Sequence, residues 1–417
     1  MSMISSVKGF ADIFPPESSR FTAIEAAAHR VFGRYGYVEL RTPVLEHTEL
    51  FHRSIGEETD VVQKEMYTFP DRKQRSLTLR PEATAGVMRA YIASGLHSRE
   101  NFTKLFSFGP MFRYERPQKG RMRQFHQINC ECLGAFSPQT DAEVISMLMV
   151  FLREIGIADT SLQLNSLGCG ACRPAYRVLL AAYLRSREAS AFCEDCRRRM
   201  DTNPLRVLDC KVVGCRALTD GAPRIMEQHC PSCREHFDCV RKLLTALYVP
   251  FELHHRLVRG LDYYMRTTFE VVSGGIGARS SIAGGGRYDG LSESLGGPHL
   301  PGIGFACGME RLALLMPAPE TKRLDFFVVC VAKEAHNAAF LLAEAMRARG
   351  LAGDMAHTGG SFKSQMRQAD KSGARFCCAL GPDELAAGTV MLKNMDAGVQ
   401  QSLPQADAIA RIANMDP

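Results

Sequence analysis

Apolar positions near the start of the chain recur at the spacing of an amphipathic helix. They are Phe21, Ile24, Ala28, Val31 and Phe32. Just before them, Pro15 and Pro16 supply a helix breaker and Ser18 supplies a polar side chain that can cap a helix start. The pattern predicts a helix over this run, followed by a strand at 37–40 that runs towards Pro43.

Strand-like alternation dominates from there to about residue 168, where the character of the chain changes. Residues 169–250 are rich in arginine and cysteine, have helical patterns and lack strand alternation. Strand patterns resume at Phe251. Helical periodicity is found at 83–94, 141–154, 175–185 and 234–247. This order predicts a helical insertion between the two halves of one sheet.

A short polar linker at 318–323 separates this region from a third pattern. An apolar strand at 324–331 is followed there by an alanine-rich helix at 335–349. More strand and helix signals follow at 352–357, 362–369, 375–380 and 390–393. Strands that alternate with helices predict a small, parallel-rich α/β domain at the end of the chain.

Composition narrows the class of protein. Of the 417 residues, 46% are hydrophobic and 23% are charged, which predicts a soluble globular protein of two or three domains. The net charge of +6 is compatible with a nucleic-acid partner without requiring one. No apolar stretch approaches the roughly 20 residues of a transmembrane helix, and we see no secretory signal. The 15 cysteines therefore predict reduced thiols in the cytoplasm.

Residues 111–131 have the pattern of a β-hairpin with one polar face. Pro117-Gln-Lys-Gly120 has turn chemistry between two strand-like runs. Period-two alternation places on one face of the return strand Arg123, Phe125, Gln127, Asn129 and Glu131. The basic end of this surface is formed by Arg113, Arg116, Arg121 and Arg123. A solvated ribbon and the floor of a cleft both fit this pattern, and the presence of Phe125 beside Gln127 favours the cleft.

The hexapeptide Arg259-Gly-Leu-Asp-Tyr-Tyr264 is the second candidate for chemistry. A guanidinium is a planar fork that suits carboxylate or phosphate, and the tyrosines add flat walls with polar tips. The set suits a small zwitterion whose carboxylate lies close to a phosphate. The start of a structural strand would explain the same residues.

Arg311 is the third candidate, in the first turn of a helix predicted to follow the glycines of 302–308. The helix dipole disfavours a cation at that end, so its presence suggests an anion nearby. An ion pair with Asp or Glu would account for Arg311 equally well.

In this order, the hairpin and the Arg311 helix resemble the second and third signature motifs of class II aminoacyl-tRNA synthetases. Arg259-Gly-Leu-Asp-Tyr-Tyr264 and Ser281-Ile-Ala-Gly-Gly-Gly-Arg-Tyr-Asp-Gly-Leu291 resemble the two motifs peculiar to the histidyl-tRNA synthetase family of bacterial type. Further matching stretches are Lys8–Pro16, Gly36–Leu45 and Thr78–Ala85. One position departs from the family pattern: Ala83 stands where glycine is usual.

The resemblance implies a fold and an organisation. The expected fold is an α+β catalytic domain on a mixed, mainly antiparallel sheet, with a helical insertion and a small C-terminal α/β domain. The expected boundaries are 1–168 and 251–320 for the catalytic core, 169–250 for the insertion and 324–417 for an anticodon-binding domain. The resemblance also implies a cytoplasmic homodimer whose first helix and strand lie at the dimer interface.

The implied activity is ATP-dependent attachment of histidine to histidine tRNA through a histidyl-adenylate, with Mg²⁺ on the outer phosphates. Arg113 is expected at the α-phosphate, Arg311 at the γ-phosphate and Arg121 elsewhere on ATP. Arg259 is expected to bridge the histidine carboxylate and the α-phosphate, which makes Arg113 and Arg259 the catalytic pair.

The remaining roles implied by the resemblance concern histidine and tRNA. The α-amino group is assigned to Glu82, Thr84 and Gln127. The two imidazole nitrogens are assigned to Glu131 and Tyr264. Tyr263 and a loop at 284–288 are expected to close the pocket. The acceptor end of the tRNA is assigned to Gln118 and Lys119.

Cysteine pairs at 169/172, 193/196, 210/215 and 230/233 have the spacing of zinc ligands. Eight such residues could form two zinc centres of four thiolates each. The resemblance argues against a metal, because the family needs none here for its fold or chemistry, so free thiols are the favoured expectation and zinc is the alternative. Two other functions share the core fold: a regulatory subunit of histidine biosynthesis, and a nucleic-acid-binding regulator built on an inactive synthetase core.

Overall fold

The computed structural model describes residues 4–118, 120–275, 280–319, 323–357 and 360–414. The chain divides into two compact units, Met1–Pro319 and Glu320–Pro417. Within the described residues, no helix combines the length and the apolar character that crossing a membrane requires.

The first unit is built on an eight-stranded sheet with the order β1-β5-β6-β11-β10-β9-β7-β8, beside a three-stranded sheet with the order β2-β4-β3. The strands are β1 (Val38–Glu39), β2 (Leu45–His47), β3 (Tyr67–Pro70), β4 (Ser76–Leu79), β5 (Thr103–Phe112), β6 (Gln124–Leu133), β7 (Ser161–Ser166), β8 (Glu252–Leu253), β9 (Met265–Ser273), β10 (Ser280–Arg287) and β11 (Gly302–Gly308). In the large sheet, β1 pairs with β5 and β7 with β8 in parallel, and the pairings between are antiparallel. The expected mixed, mainly antiparallel sheet is confirmed.

The helices of this unit are α1 (Glu17–Arg34), α2 (Thr48–Ile55), α3 (Thr84–Ala93), α4 (Leu96–Arg99), α5 (Pro138–Glu154), α6 (Cys172–Arg185), α7 (Glu194–Thr202), α8 (Val213–Leu218), α9 (Pro231–Ala246), α10 (Leu291–Ser294) and α11 (Met309–Leu315). Shorter helical turns are Val61–Glu65, Ala189–Ala191, Pro204–Val207 and Ile225–Gln228. Helices α6 to α9 occupy the stretch in which an insertion was expected.

One face of the large sheet is covered by α1, α5 and α9. All five apolar positions of the first sequence pattern are buried on α1. Helix α5 begins where Ser137 accepts the backbone N–H of Thr140 and Pro138 occupies the first helical position. Burial of these apolar faces against the sheet is the main stabilising contribution to the core.

A buried ion-pair network fastens α5 to the end of β10. The Arg287 guanidinium donates to Asp141 and to Asp289, each at 2.7 Å, and none of the arginine side chain is exposed. His236 of α9 approaches the other carboxylate oxygen of Asp141 at 2.8 Å. Removing one partner would leave a buried charge uncompensated, so the network sets the position of β10 within the sheet.

The second unit is a five-stranded sheet with helices, in the order β13-β12-β14-β15-β16. Its elements are β12 (Phe326–Cys330), α12 (His336–Ala348), β13 (Gly353–Met355), α13 (Phe362–Ser372), β14 (Phe376–Leu380), α14 (Pro382–Ala387), β15 (Thr389–Asn394), β16 (Gln400–Pro404) and α15 (Gln405–Ala413), with a 3₁₀ turn at Lys333–Ala335. Strand β12 pairs in parallel with both neighbours, whereas β15 and β16 add antiparallel pairings. The prediction of a parallel-rich sheet is therefore wrong: two pairings are parallel and two antiparallel, because β14 to β16 follow one another through short connections that favour antiparallel pairing.

Candidate active site

The cleft of the first unit opens over the four central strands of the large sheet, which carry small residues at matched positions. Across β6, β11, β10 and β9, one row of paired residues is Glu131, Gly304, Gly286 and Thr268. The neighbouring row is Asn129, Ala306, Gly284 and Glu270. Small side chains on the two middle strands leave room above the sheet, while the outer strands contribute polar groups.

The cleft has a cavity volume of about 270 Å³. Its lining includes Arg113, Arg121, Gln127, Arg259, Glu270 and Arg311. The four arginines come from three segments: the hairpin contributes two, the 259–264 stretch one and helix α11 one. The carboxylates of Glu115 and Glu310 also line the cleft.

Arg259 lies directly over strand β10. Its Nη1 is 3.3 Å from the Glu270 carboxylate, and its guanidinium is 5.7 Å from the centre of the Tyr264 ring. A Cβ added to Gly284 would overlap that guanidinium, so a larger residue there would displace the arginine side chain. Within the described part of the chain, the buried Nε of Arg259 has no hydrogen-bond partner. An unsatisfied buried donor is costly, so this nitrogen is available to an acceptor on a ligand.

Arg113 and Arg311 are held by backbone carbonyl groups. The Nε of Arg113 donates to the carbonyl of Pro81 at 2.8 Å, and its guanidinium lies 5.5 Å from the centre of the Phe125 ring. Arg311 donates through Nε to the carbonyl of Gly120 at 3.1 Å and through Nη1 to the carbonyl of Ser281. The Nη1 of Arg113 also lies 4.0 Å from the Glu115 carboxylate, whereas both described acceptors of Arg311 are neutral carbonyls, which orient a cation without cancelling its charge.

Burial, followed by the nearby charge of Arg121, lowers the pKa of Arg311. Two cations close together in a partly buried cleft favour an anion between them. The described hydrogen bonds of Arg311 reach two carbonyl oxygens and no carboxylate. The anion explanation for this residue is therefore better supported than a structural ion pair.

A buried polar cluster lies next to the cleft around Glu131, which is 2% exposed. The Thr84 hydroxyl donates to Glu131 at 2.7 Å, and the Tyr288 hydroxyl donates to its other oxygen. Tyr263 donates to Glu82 at 3.4 Å, and its ring lies 5.8 Å from that of Tyr288. The cluster thus combines the carboxyl groups of Glu82 and Glu131 with the aromatic rings of Tyr263 and Tyr288.

Burial raises the pKa of Glu131 to about 8, despite the hydrogen bonds from Tyr288 and Thr84 that lower it. The raised pKa favours the protonated carboxyl, which can both donate and accept a hydrogen bond. A neutral imidazole also has one donor and one acceptor nitrogen. The protonation state of Glu131 therefore matches an imidazole ligand.

Glu82 caps the start of helix α3. Its carboxylate accepts the backbone N–H groups of Thr84 at 2.7 Å and Ala85 at 2.8 Å. Burial also raises the pKa of Glu82, while those two N–H groups lower it. Ala83, which stands where the family has glycine, is buried with φ of −98°. That backbone conformation is open to any L-residue, so the chain does not need glycine there.

Gln127 faces the cleft from β6, as the alternation of the return strand predicts. Its side-chain oxygen is buried and has no partner among the described residues. Tyr264 is 6% exposed and its ring lies 4.6 Å from that of Tyr263. An orphaned acceptor beside Arg259 suits a ligand that carries an N–H donor near a carboxylate.

The hairpin is confirmed, and β5 and β6 pair from Thr103/Leu133 to Phe112/Gln124. At its turn, the backbones of Gln118 and Arg121 exchange hydrogen bonds of 2.9 and 2.8 Å, and the Gln118 side chain is exposed. The predicted tRNA contact Lys119 lies outside the described residues.

Two arginines of the predicted basic surface, Arg116 and Arg123, are not among the residues that line the cleft. Arg123 stacks on the Tyr114 ring at 3.8 Å and packs against Gly9, and Arg116 is exposed to solvent. Alternation placed Arg123 on the face of Gln127, but the N-terminal segment pairs with the strand end there and draws its side chain away.

The expected loop at 284–288 is wrong in shape, because Gly284 to Arg287 belong to strand β10. These residues contribute a strand of the sheet beneath the cleft. The sequence interpretation also missed Glu270 and Tyr288 as partners of Arg259 and Glu131. Two signals could have identified them. Glu270 is an acid within the apolar run 267–272, and Tyr288 is a tyrosine that follows closely on the glycine run.

The insertion also reaches the site. Asn203 donates to Asp262 at 3.0 Å, and Arg199 contacts Asp60 at 2.6 Å. Arg206, from the same turn, lies near Gly260. Asn203 and Arg206 thus support the 259–264 segment from the insertion.

Comparisons with known proteins agree with this geometry. The family model described as histidyl-tRNA synthetase matches residues 9–312, and that described as anticodon binding domain matches residues 325–415. A histidine–tRNA ligase from Nitratidesulfovibrio vulgaris (strain DP4) is 65% identical over 410 residues, covering 98% of each chain. One from Geobacter sulfurreducens is 51% identical, covering 96% of this chain and 97% of the relative. The crystal structure of apo S. aureus histidyl-tRNA synthetase superimposes with a TM-score of 0.82 at 35% identity, covering 99% of this chain and 100% of that one.

Proposed function

The chain belongs to the histidyl-tRNA synthetase family and attaches histidine to tRNA with ATP, and we propose that the cleft of its first unit joins these substrates through a histidyl-adenylate. The observation that carries this proposal is the convergence of Arg113, Arg259 and Arg311 beside the buried polar cluster around Glu131. Family membership favours the enzyme over both the regulatory subunit and the inactive regulator.

In the first step, a carboxylate oxygen of histidine attacks the α-phosphorus of ATP and pyrophosphate leaves. Both reactants are anions, so fixed cations lower the barrier most effectively. Arg259 would bridge the carboxylate and the α-phosphate, with Arg113 on the same phosphate. Arg311 would bind the γ-phosphate end, and Arg121 lies close enough to Arg311 to share it. In the second step, a ribose hydroxyl of the tRNA attacks the carbonyl carbon and AMP leaves.

Histidine would lie across the two parts of the site. Its α-amino group would donate to Gln127, whose oxygen is unsatisfied within the described residues, and to Glu82 near Thr84. Glu131 and Tyr264 would read the imidazole nitrogens, with Tyr263 as a wall. An isostere without ring nitrogens would leave these buried groups unpaired, which can lower its use by about 10⁴-fold.

Mg²⁺ is the metal generally used with ATP in this family, and the cleft contains groups that fit it. Carboxylates and phosphate oxygens are the ligands that Mg²⁺ prefers. Glu115 and Glu270 line the cleft next to the arginines, so they are the side chains that would hold the ion against ATP. Bound there, the metal would neutralise charge on the outer phosphates.

The proposed organisation assigns residues 1–168 and 251–320 to catalysis, 169–250 to the insertion and 324–417 to anticodon recognition. The proposed state is a cytoplasmic homodimer. Strand β1 is at the edge of the large sheet, and Val38 on it is 59% exposed, which suits pairing with a second copy. Sedimentation equilibrium would test the dimer.

Histidine-dependent exchange of pyrophosphate into ATP is the direct test of the proposed cleft. The full chain should catalyse exchange with histidine and not with other amino acids. Truncation after Pro319 should spare this exchange more than it spares tRNA charging, since the second unit would act on tRNA alone. Equal losses in a folded truncated protein would contradict that division of labour.

A further inference from the structure

Eight cysteines of the helical insertion gather into two groups of four. The first cluster consists of Cys169, Cys172, Cys230 and Cys233. The second cluster consists of Cys193, Cys196, Cys210 and Cys215. Within each cluster, the sulfur atoms all lie within 4.8 Å of one another. Each cluster unites two pairs that are distant in sequence, which periodicity and spacing did not reveal.

The distances fit a shared metal ion better than disulfide bonds. The sulfur atoms of Cys169 are 3.6 Å from Cys172 and 4.0 Å from Cys230, and those of Cys193 and Cys210 are 3.9 Å apart. A disulfide requires about 2.05 Å. Four thiolates around one zinc at about 2.3 Å lie about 3.8 Å from one another. The observed separations are those of a tetrahedral thiolate site.

Backbone N–H groups point at sulfur in both clusters in the same way. The N–H of Cys230 donates to the sulfur of Cys172 at 3.2 Å, and the N–H of Cys193 donates to that of Cys215 at 3.3 Å. Such donors stabilise negative charge on sulfur and orient ligands around a metal. Two of the four sulfur-bearing residues in each cluster are buried, so the sites are partly shielded from exchange with solvent.

We propose that each cluster binds one zinc ion through four thiolates, so that the chain carries two structural zinc centres. Each thiol loses its proton to solvent when the ion binds. With four protein ligands the coordination is complete, so no position remains for water or substrate and the role is structural.

The positions of the clusters show what the metals would hold. The first cluster ties the start of helix α6 to the start of helix α9, closing a loop whose ends, Cys169 and Cys230, are 61 residues apart. The second cluster lies within that loop and ties the start of α7 to the segment that enters α8. A segment with short helices and a small apolar core gains most from such ties.

Between Cys196 and Cys210 lie Asn203 and Arg206, which contact or adjoin the 259–264 segment. The second zinc would therefore fix the position of the turn that contacts the 259–264 segment. Its effect on the reaction would be indirect, through the position of that segment.

Elemental analysis of the full-length protein, purified without chelator, is the first test. The expected result is about two zinc atoms per chain. Protein grown or refolded with Co²⁺ should show the absorption of tetrahedral cobalt with thiolate charge transfer. Fewer than half a zinc per chain, iron in place of zinc, or a mass deficit that reports disulfides would each overturn the proposal.

Variants then separate the two sites. Cys172→Ser should lose the zinc of the first cluster and keep that of the second. Cys215→Ser should lose the zinc of the second cluster and keep that of the first. Cys239→Ser is the matched control, because Cys239 lies on α9 outside both clusters. If the control loses zinc as readily, or if neither cluster variant loses any, the assignment of ligands fails. The wild-type metal content and cobalt spectrum remain decisive if a variant does not fold.

Discussion

Arg259 and Glu270 form an ion pair of 3.3 Å on the floor of the cleft. Glu270 lies on β9, opposite Gly284 of β10, and the guanidinium passes over that glycine to reach the carboxylate. The pair keeps a cation in place before any substrate arrives, so Arg259 enters the reaction already oriented. A fixed charge of this kind avoids reorganisation as the transition state forms.

Arg259→Ala should lower the rate of adenylate formation by about 10²–10³-fold, because one preorganised cation is lost where negative charges meet. The Michaelis constant for ATP should change far less. Arg259→Lys should recover only part of the loss, since it keeps the charge but not the planar fork. Single-turnover adenylation measures the effect. Transfer from preformed histidyl-adenylate to tRNA is the internal control and should fall much less; near-normal adenylation in the alanine variant would refute the role.

Gly284→Ala should act on the same step without removing any charge. The added methyl group would overlap the Arg259 guanidinium and displace it, and a misplacement of about 1 Å can cost about 100-fold. Gly274→Ala is the matched control, since a Cβ there meets no atom within 4 Å among the described residues. Pyrophosphate exchange should fall for the first variant only. Equal activity of the two variants would show that adenylate formation does not depend on the position of the Arg259 guanidinium above β10.

Glu131→Gln should flatten the pH dependence of stability. The pKa of Glu131 in the folded protein is about 8, above its ordinary value, so the folded state binds one more proton than the unfolded state between about pH 4.5 and 8. Stability therefore falls as pH rises through that window, by up to about 1.4 kcal/mol per unit from this group. Urea unfolding of both proteins from pH 5 to 8 isolates the contribution. Parallel curves for the two proteins would show that Glu131 is ionised in the folded state.

Gln118→Ala should weaken charging of a full-length histidine tRNA transcript and hardly affect a transcript that lacks the extra 5′ guanosine. The Gln118 side chain is exposed at the tip of the hairpin turn, where it can donate to a base or phosphate. Histidine-dependent pyrophosphate exchange, which needs no tRNA, should be unchanged. If both transcripts lose activity alike, the turn contacts only the tRNA backbone.

Local patterns were sufficient for most of the elements and for several site residues. The helical spacing of Phe21 to Phe32 predicts α1, because side chains return to the same face of a helix about every 3.6 residues. This period does not depend on the rest of the fold. Alternation along β6 correctly placed Phe125 and Gln127 on the cleft side, since the period of a strand is also local. The same logic failed at Arg123, where pairing with the N-terminal segment redirects the side chain.

The sequence by itself therefore determined the elements, the family and the kinds of groups available for chemistry. Only the tertiary structure decided which groups meet. Glu131 pairs with Tyr288, Arg259 with Glu270, and Cys169 with Cys230, each through strand register or helix packing. Apart from Arg259 and Glu270, which are 11 residues apart, these contacts join residues distant in the chain, and periodicity carries no information about which distant segments come together. For the same reason, the raised pKa of Glu131 appears only once burial has removed water from its carboxyl.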